Sequence, residues 1–108
     1  MSQLLVMALK GVPAFYLPAL LASENDIKSF SMTGQRRDLN REIFKLDNLL
    51  SLLNNPESNA NKNLKYLRNA MEVRSDLKQF HPCSEMKCLS KGRSDIVVIK
   101  RSLSLIHI

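Results

Sequence analysis

The sequence has no tryptophan, only two cysteines, and no long apolar run free of interruption. A structural zinc site takes about four ligands, usually as two close pairs. Cys83 and Cys88, with His81 nearby, make one loose pair, so no metal site is expected and the two thiols read as reduced and structurally incidental. The most apolar stretch, LLVMALKGVPAFYLPALLA from Leu4 to Ala22, is broken by Lys10, Gly11, Pro13 and Pro18, and no positive charge precedes Leu4. Membrane spans and secretion signals do not take that form, although Ala22 and Ser23 resemble a cleavage region. A soluble, cytoplasmic chain without a membrane partner is the expectation. A concentrated basic face is also missing: sixteen Lys and Arg give a net charge of +6, but they are spread along the chain with acids among them. Nucleic-acid binders gather such charge in a stripe, so a nucleic-acid partner is not expected. The 108 residues, 44% hydrophobic, suit one small domain or a piece of a larger one.

What is present begins with LLVMALKG, read as the end of a buried helix stopped by Gly11, and VPAFYL, read as a strand buried on both faces with Phe15 and Tyr16 in the core. Pro18 to Lys45 follows as a long polar loop without period, a length that points to function or disorder. Leu46, Leu49, Leu50 and Leu53 then recur at helical spacing, closed by Asn54, Asn55 and Pro56. A second helix carries Ala60, Leu64, Leu67 and Met71 on one stripe, continues through Val73, Leu77 and Phe80, and stops at His81 and Pro82. Its charges Lys62, Lys65, Arg68 and Arg74 read as a solvated face. DIVVIKR, Asp95 to Arg101, is short and β-branched, a strand reached through the turn SKGRS. One βα unit with a trailing strand cannot close a core, since a parallel strand needs neighbours for its backbone and its apolar faces. The chain therefore reads as a fragment.

GVPAFY, then LLASENDIKSFSMTGQRRDLNRE, then YLRNAMEVRSDLKQFHP closely resemble the last βα unit of sucrose phosphorylase and its relatives in the alpha-amylase family, glycoside hydrolase family 13. The residues that carry the resemblance include Gly11, Val12, Pro13 and Tyr16, then Asn25, Asp26 and Thr33, and above all the loop motif of Gly34, Arg37, Leu39, Asn40, Arg41 and Glu42. Val73, Arg74, Phe80, His81 and Pro82 extend it to the end of the second helix. The resemblance implies an α/β fold: the last βα unit of a (β/α)8 TIM barrel plus the start of an all-β C-terminal domain, incomplete as a fragment. Residues 1–82 would be the end of the catalytic barrel, namely the end of helix 7, strand 8, a long loop and helix 8. Residues 83–102 would start the C-terminal β domain. Met1 would then be an internal methionine, and 103–108, LSLIHI, reads as translated sequencing adapter instead of coding sequence.

The resemblance also implies an activity: a retaining glycoside phosphorylase that cleaves sucrose or a related α-glucoside with phosphate to give α-glucose 1-phosphate. Glucosylglycerate and sucrose 6-phosphate are the alternative substrates. The loop after the eighth strand of a barrel forms part of the active-site rim. Arg offers a rigid fork of five donors, suited to sugar hydroxyls, so Arg37 is the expected substrate contact. Asn25, Asp26, Asp38, Asn40 and Arg41 are expected to brace the loop, Asn25 and Asp26 by pinning turns, and Arg36 is open to phosphate. Retaining transfer uses two carboxyl groups about 5 Å apart, which the family places after earlier strands, so no catalytic residue is assigned in this chain and no turnover is expected from it alone. Sugar and phosphate are the partners implied for the longer protein, with no cofactor. Two other readings compete: a basic, helical, non-enzymatic interaction module, and a small secreted protein cleaved near Ala22.

Overall fold

The computed structural model describes residues 2–90 and 92–103. Along them run α1 (Ser2–Ala8), α2 (Leu17–Leu20), α3 (Ile27–Thr33), a 3₁₀ turn (Arg36–Asn40), α4 (Leu46–Asn54), α5 (Asn59–Asp76), a second 3₁₀ turn (Lys78–Phe80), β1 (Glu85–Cys88) and β2 (Ile99–Ser102). They fall into two compact units: the described residues of 1–14 with those of 69–108, and Phe15–Arg68, so that α5 contributes to both.

In the first unit the carbonyl end of α1 is closed by arginines. The last carbonyls of any helix lack intrahelical partners and carry a partial negative charge, which suits guanidinium donors. Arg74, on α5, donates to the Met7 carbonyl at 2.5 Å and the Gly11 carbonyl at 2.8 Å. Arg101, on β2, donates to Ala8 at 3.4 Å and His81 at 2.8 Å. Both guanidinium groups lie over the Phe80 ring, 5.5 and 5.9 Å from its centre, where the ring quadrupole attracts cations. Gly11, at φ +104°, turns the chain after α1 and donates its N–H to Pro82 at 3.2 Å. Arg74 is therefore a half-buried tie, not the solvated charge its helical position suggests.

VPAFYL is not a strand here. Pro13 lacks an N–H, no described strand lies beside this segment, and Val12 stands 81% exposed. Tyr16 is exposed, not core, while Phe15 is half-buried. Pro18 starts α2 without loss, because the N–H it lacks has no helical partner in a first turn. The β-branched tail forms β2 later and shorter than its composition suggests, from Ile99, while Asp95 sits in the turn 2.6 Å from Arg93. β2 pairs antiparallel with β1 from Glu85 opposite Ser102 to Cys88 opposite Ile99. Residues 104–108, most of the suspected adapter segment, lie outside the described residues.

The second unit repeats the carbonyl-end theme with amides and a hydroxyl. Asn63 of α5 donates to Ala19 and Leu20, at 3.1 and 2.8 Å, closing α2. Asn61 donates to Leu53 at 2.6 Å and Ser58 to Leu52 at 2.5 Å, closing α4. Leu21, Ala60 and Leu67 are buried in this unit. On α4, Leu49 and Leu53 are half-buried while Leu46 and Leu50 face outward.

The polar loop after α2 contains a helix that its lack of apolar period hides. Asp26 caps α3: its carboxylate accepts the Ser29 N–H at 3.0 Å and the Ser29 hydroxyl at 2.7 Å. Gly34, in the left-handed region at φ +67°, ends it and returns its N–H to Phe30.

Replacing Arg74 with Ala should lower stability by about 1.5–3 kcal/mol, the usual cost of hydrogen bonds to a charged group. Arg74→Lys should recover little of it, since an ammonium lacks the fork that reaches two carbonyls. Lys65→Ala, at an exposed position of the same helix, should stay within about 0.5 kcal/mol; urea denaturation of the three variants is the check. The Ser29 bonds hold the Asp26 carboxyl below the usual 3.8. A depressed folded value gives stability that is present above the unfolded value and lost as pH falls through the folded one. Protection of the α3 amides from hydrogen exchange should therefore drop as the pH is lowered below about 4. Asp26→Asn should keep the cap and remove that pH dependence.

Candidate functional site: the arginine loop

Three arginines, Arg36, Arg37 and Arg41, stand within GQRRDLNRE, and a short turn of the chain determines how they are displayed. After Gly34 the chain enters the 3₁₀ turn, with Asp38 N–H to Gln35 at 3.0 Å and Arg41 N–H to Asp38 at 3.3 Å. The turn then folds back on the start of α3, where the Leu39 carbonyl accepts the Asp26 N–H at 2.7 Å. Asp26 thus joins both ends of the motif, its side chain capping α3 and its main chain holding the loop.

Asp38 provides the second tie. Its carboxylate accepts the Thr33 hydroxyl, and that hydroxyl in turn accepts the Gln35 N–H at 3.2 Å. Held there, the carboxylate stands 4.0 Å from Arg37 Nε, and the Arg37 side chain is 64% exposed. Among the described residues Arg37 has no closer polar partner, so its fork is displayed outward from a braced base. Arg36 is likewise exposed. Asn25 and Arg41 take part through their main chains, the Asn25 carbonyl accepting the Ile27 N–H at 3.0 Å. The side chains of Asn25, Asn40 and Arg41 are exposed and take no hydrogen-bonding partner among the described residues.

The arrangement can recognise an anion or a set of hydroxyls. Among the described residues no group of three or more His, Cys, Asp or Glu is gathered as metal ligands, and no helix is long and apolar enough to cross a membrane. A cleft of about 330 Å³ lies elsewhere, in the first unit, lined by Ala8, Leu77, Gln79, Phe80, Ile99 and Arg101. Its arginine donates from its two terminal nitrogens to the Ala8 and His81 carbonyls, while its Nε is buried without a partner among the described residues. Thr33 is the loop residue whose role sequence reasoning missed. Its place in the motif gave a signal, five residues before Asp38 and directly before Gly34, where a hydroxyl can reach back across the turn.

No family model matches the chain, and no solved structure matches it. Two curated proteins are similar to it. One is a glucosylglycerate phosphorylase of Spirochaeta thermophila, 27% identical over 101 residues, which cover 94% of this chain and 17% of that protein. The other is a glucosylglycerate phosphorylase of Allomeiothermus silvanus, 32% identical over 88 residues, or 82% of this chain and 16% of that protein. Matches of that extent leave too few residues at either end to miss the arginine loop. The chain spans about a sixth of the length of these relatives and is homologous to a short segment of a glycoside phosphorylase.

Proposed function

We propose that the chain is a segment of a retaining glycoside phosphorylase, the last βα unit of its (β/α)8 barrel, and that Arg37 contacts the glucosyl unit from the rim. The observation that carries this reading is the similarity over nearly the whole chain to two proteins of one named activity. The preferred donor is glucosylglycerate, the substrate both relatives are named for, ahead of sucrose. In the longer protein a carboxylate outside this chain attacks the anomeric carbon while a second carboxyl protonates the leaving oxygen, releasing glycerate. A phosphate oxygen then attacks the glucosyl-enzyme, the carboxylate departs, and α-glucose 1-phosphate is formed. Arg37 would hold sugar hydroxyls with its fork, and Arg36 would draw phosphate toward the rim.

The test is a chimaera: the Allomeiothermus silvanus enzyme with its matched segment replaced by this chain's residues. It should release glucose 1-phosphate from glucosylglycerate faster than from sucrose, and only when phosphate is supplied. Arg37→Ala should lower kcat/KM roughly 10- to 100-fold, the loss of charge-assisted bonds worth about 1.5–3 kcal/mol, and Arg37→Lys should restore little. Arg36→Ala should lower the ratio of phosphorolysis to hydrolysis, and an unchanged ratio would remove Arg36 from the phosphate path. A folded chimaera without phosphorolysis, or an Arg37→Ala variant of full activity, would overturn the reading.

A further inference from the structure

The 3₁₀ turn at Arg36–Asn40 sorts the side chains of the arginine loop by edge. A 3₁₀ helix has about three residues per turn and rises about 2 Å per residue, so side chains three apart stand one above the other. Arg37 and Asn40 therefore share one edge, about 6 Å apart along the axis. Arg36 shares another with the half-buried Leu39, and Asp38, tied to Thr33, occupies the third. On the edge that carries Arg37 both side chains are exposed, and the Asn40 amide has no hydrogen-bonding partner among the described residues. The bracing expected of Asn40 falls to its neighbours: the Leu39 carbonyl accepts the Asp26 N–H, and the Arg41 N–H returns to the Asp38 carbonyl. The Asn40 side chain is thus left to a ligand.

The two groups on this edge have complementary chemistry. A guanidinium only donates, whereas a sugar hydroxyl both accepts and donates, so an arginine alone leaves the hydroxyl proton unplaced. A carboxamide offers an oxygen for that proton and an amide N–H for a neighbouring hydroxyl. We propose that Asn40 is a second contact to the glucosyl unit beside Arg37, and that the pair reads two adjacent hydroxyls. Arg37 donates to their oxygens, and the Asn40 oxygen accepts the proton of one of them. The same oxygen gives nothing to a carboxylate, which has no proton to donate. The edge therefore favours a neutral diol over an anion, and the anion is left to Arg36 on its own edge. This rests on the proposed phosphorylase reading and adds to it a residue that selects the sugar.

Asn40→Ala in the chimaera described above provides the test, assayed with glucosylglycerate and with monodeoxy analogues that each lack one glucosyl hydroxyl. It should lower kcat/KM for the intact donor roughly 3- to 10-fold, the loss of neutral hydrogen bonds, and by less than Arg37→Ala does. One monodeoxy donor should react with the unchanged chimaera about as slowly as the intact donor does with Asn40→Ala, and the substitution should slow that donor no further. The unfolding midpoint should stay within about 2 °C of the parent chimaera, as at other exposed positions. An Asn40→Ala chimaera of full activity would overturn the inference. So would one that slows the intact and every monodeoxy donor by the same factor, which, with a lowered midpoint, would make Asn40 a brace. In either case an impaired Arg37→Ala variant would leave the phosphorylase reading standing. A folded chimaera without phosphorolysis before any change at Asn40 would overturn the reading and the inference with it.

Discussion

The described structure depends on polar side chains of α5 closing the carbonyl ends of other helices. Arg74 closes α1, Asn63 closes α2, and Asn61 closes α4 with help from Ser58. Each target helix is short, so its unsatisfied terminal carbonyls are a large share of its backbone, and short helices are marginal on propensity alone. A hydrophobic core cannot compensate here, since among the described residues the buried apolar side chains are Met7, Leu21, Ala60 and Leu67. Directional hydrogen bonds fix where these helices stop and which residues of α5 they meet. They do this without covering much apolar surface.

The same economy of contacts separates two kinds of arginine. Arg74 and Arg101 turn their terminal nitrogens to main-chain carbonyls and their planes to Phe80, although the buried Nε of Arg101 has no partner among the described residues. Arg36 and Arg37 stay outward, because the work of holding their loop is done by Asp26, Thr33 and Asp38. A side chain carried on a braced turn has less freedom to lose when it meets a ligand, and that lowers the entropic cost of binding. A motif that resembles one family throughout thus contains residues with unlike duties: the His81 and Pro82 end receives the chain through carbonyls, and the Arg37 end presents donors.

Sequence periodicity made α4 and most of α5 legible, since their leucines recur at helical spacing and Pro56 separates them. It failed for α3, whose exposed Ile27 and Met32 supply no stripe and whose ends are set by Asp26 and Gly34 alone. At VPAFYL β-compatible residues suggest a strand, but among the described residues no neighbour offers it a ladder. β1 was invisible because EMKC is exposed throughout and owes its form to pairing with β2. Arg74 was misread for a related reason. Periodicity reports apolar faces, and a guanidinium that binds carbonyls from the flank of such a face looks the same as one in water. In the loop, the motif pointed to Asp26 and Asp38, but the Thr33 hydroxyl that links Asp38 to Gln35 shows only in three dimensions.

The arginine loop raises one physical question, which is how much an exposed guanidinium can contribute to recognition. In water a fork such as that of Arg37 exchanges solvent bonds for ligand bonds at little net gain, as exposed ion pairs do. The gain grows when an opposing wall excludes solvent, because the local dielectric falls and the unmade bond becomes costly. On the proposed reading, the remainder of the longer protein supplies such a wall opposite the loop. Recognition at Arg37 would then draw its strength from the exclusion of solvent and its direction from the braced loop.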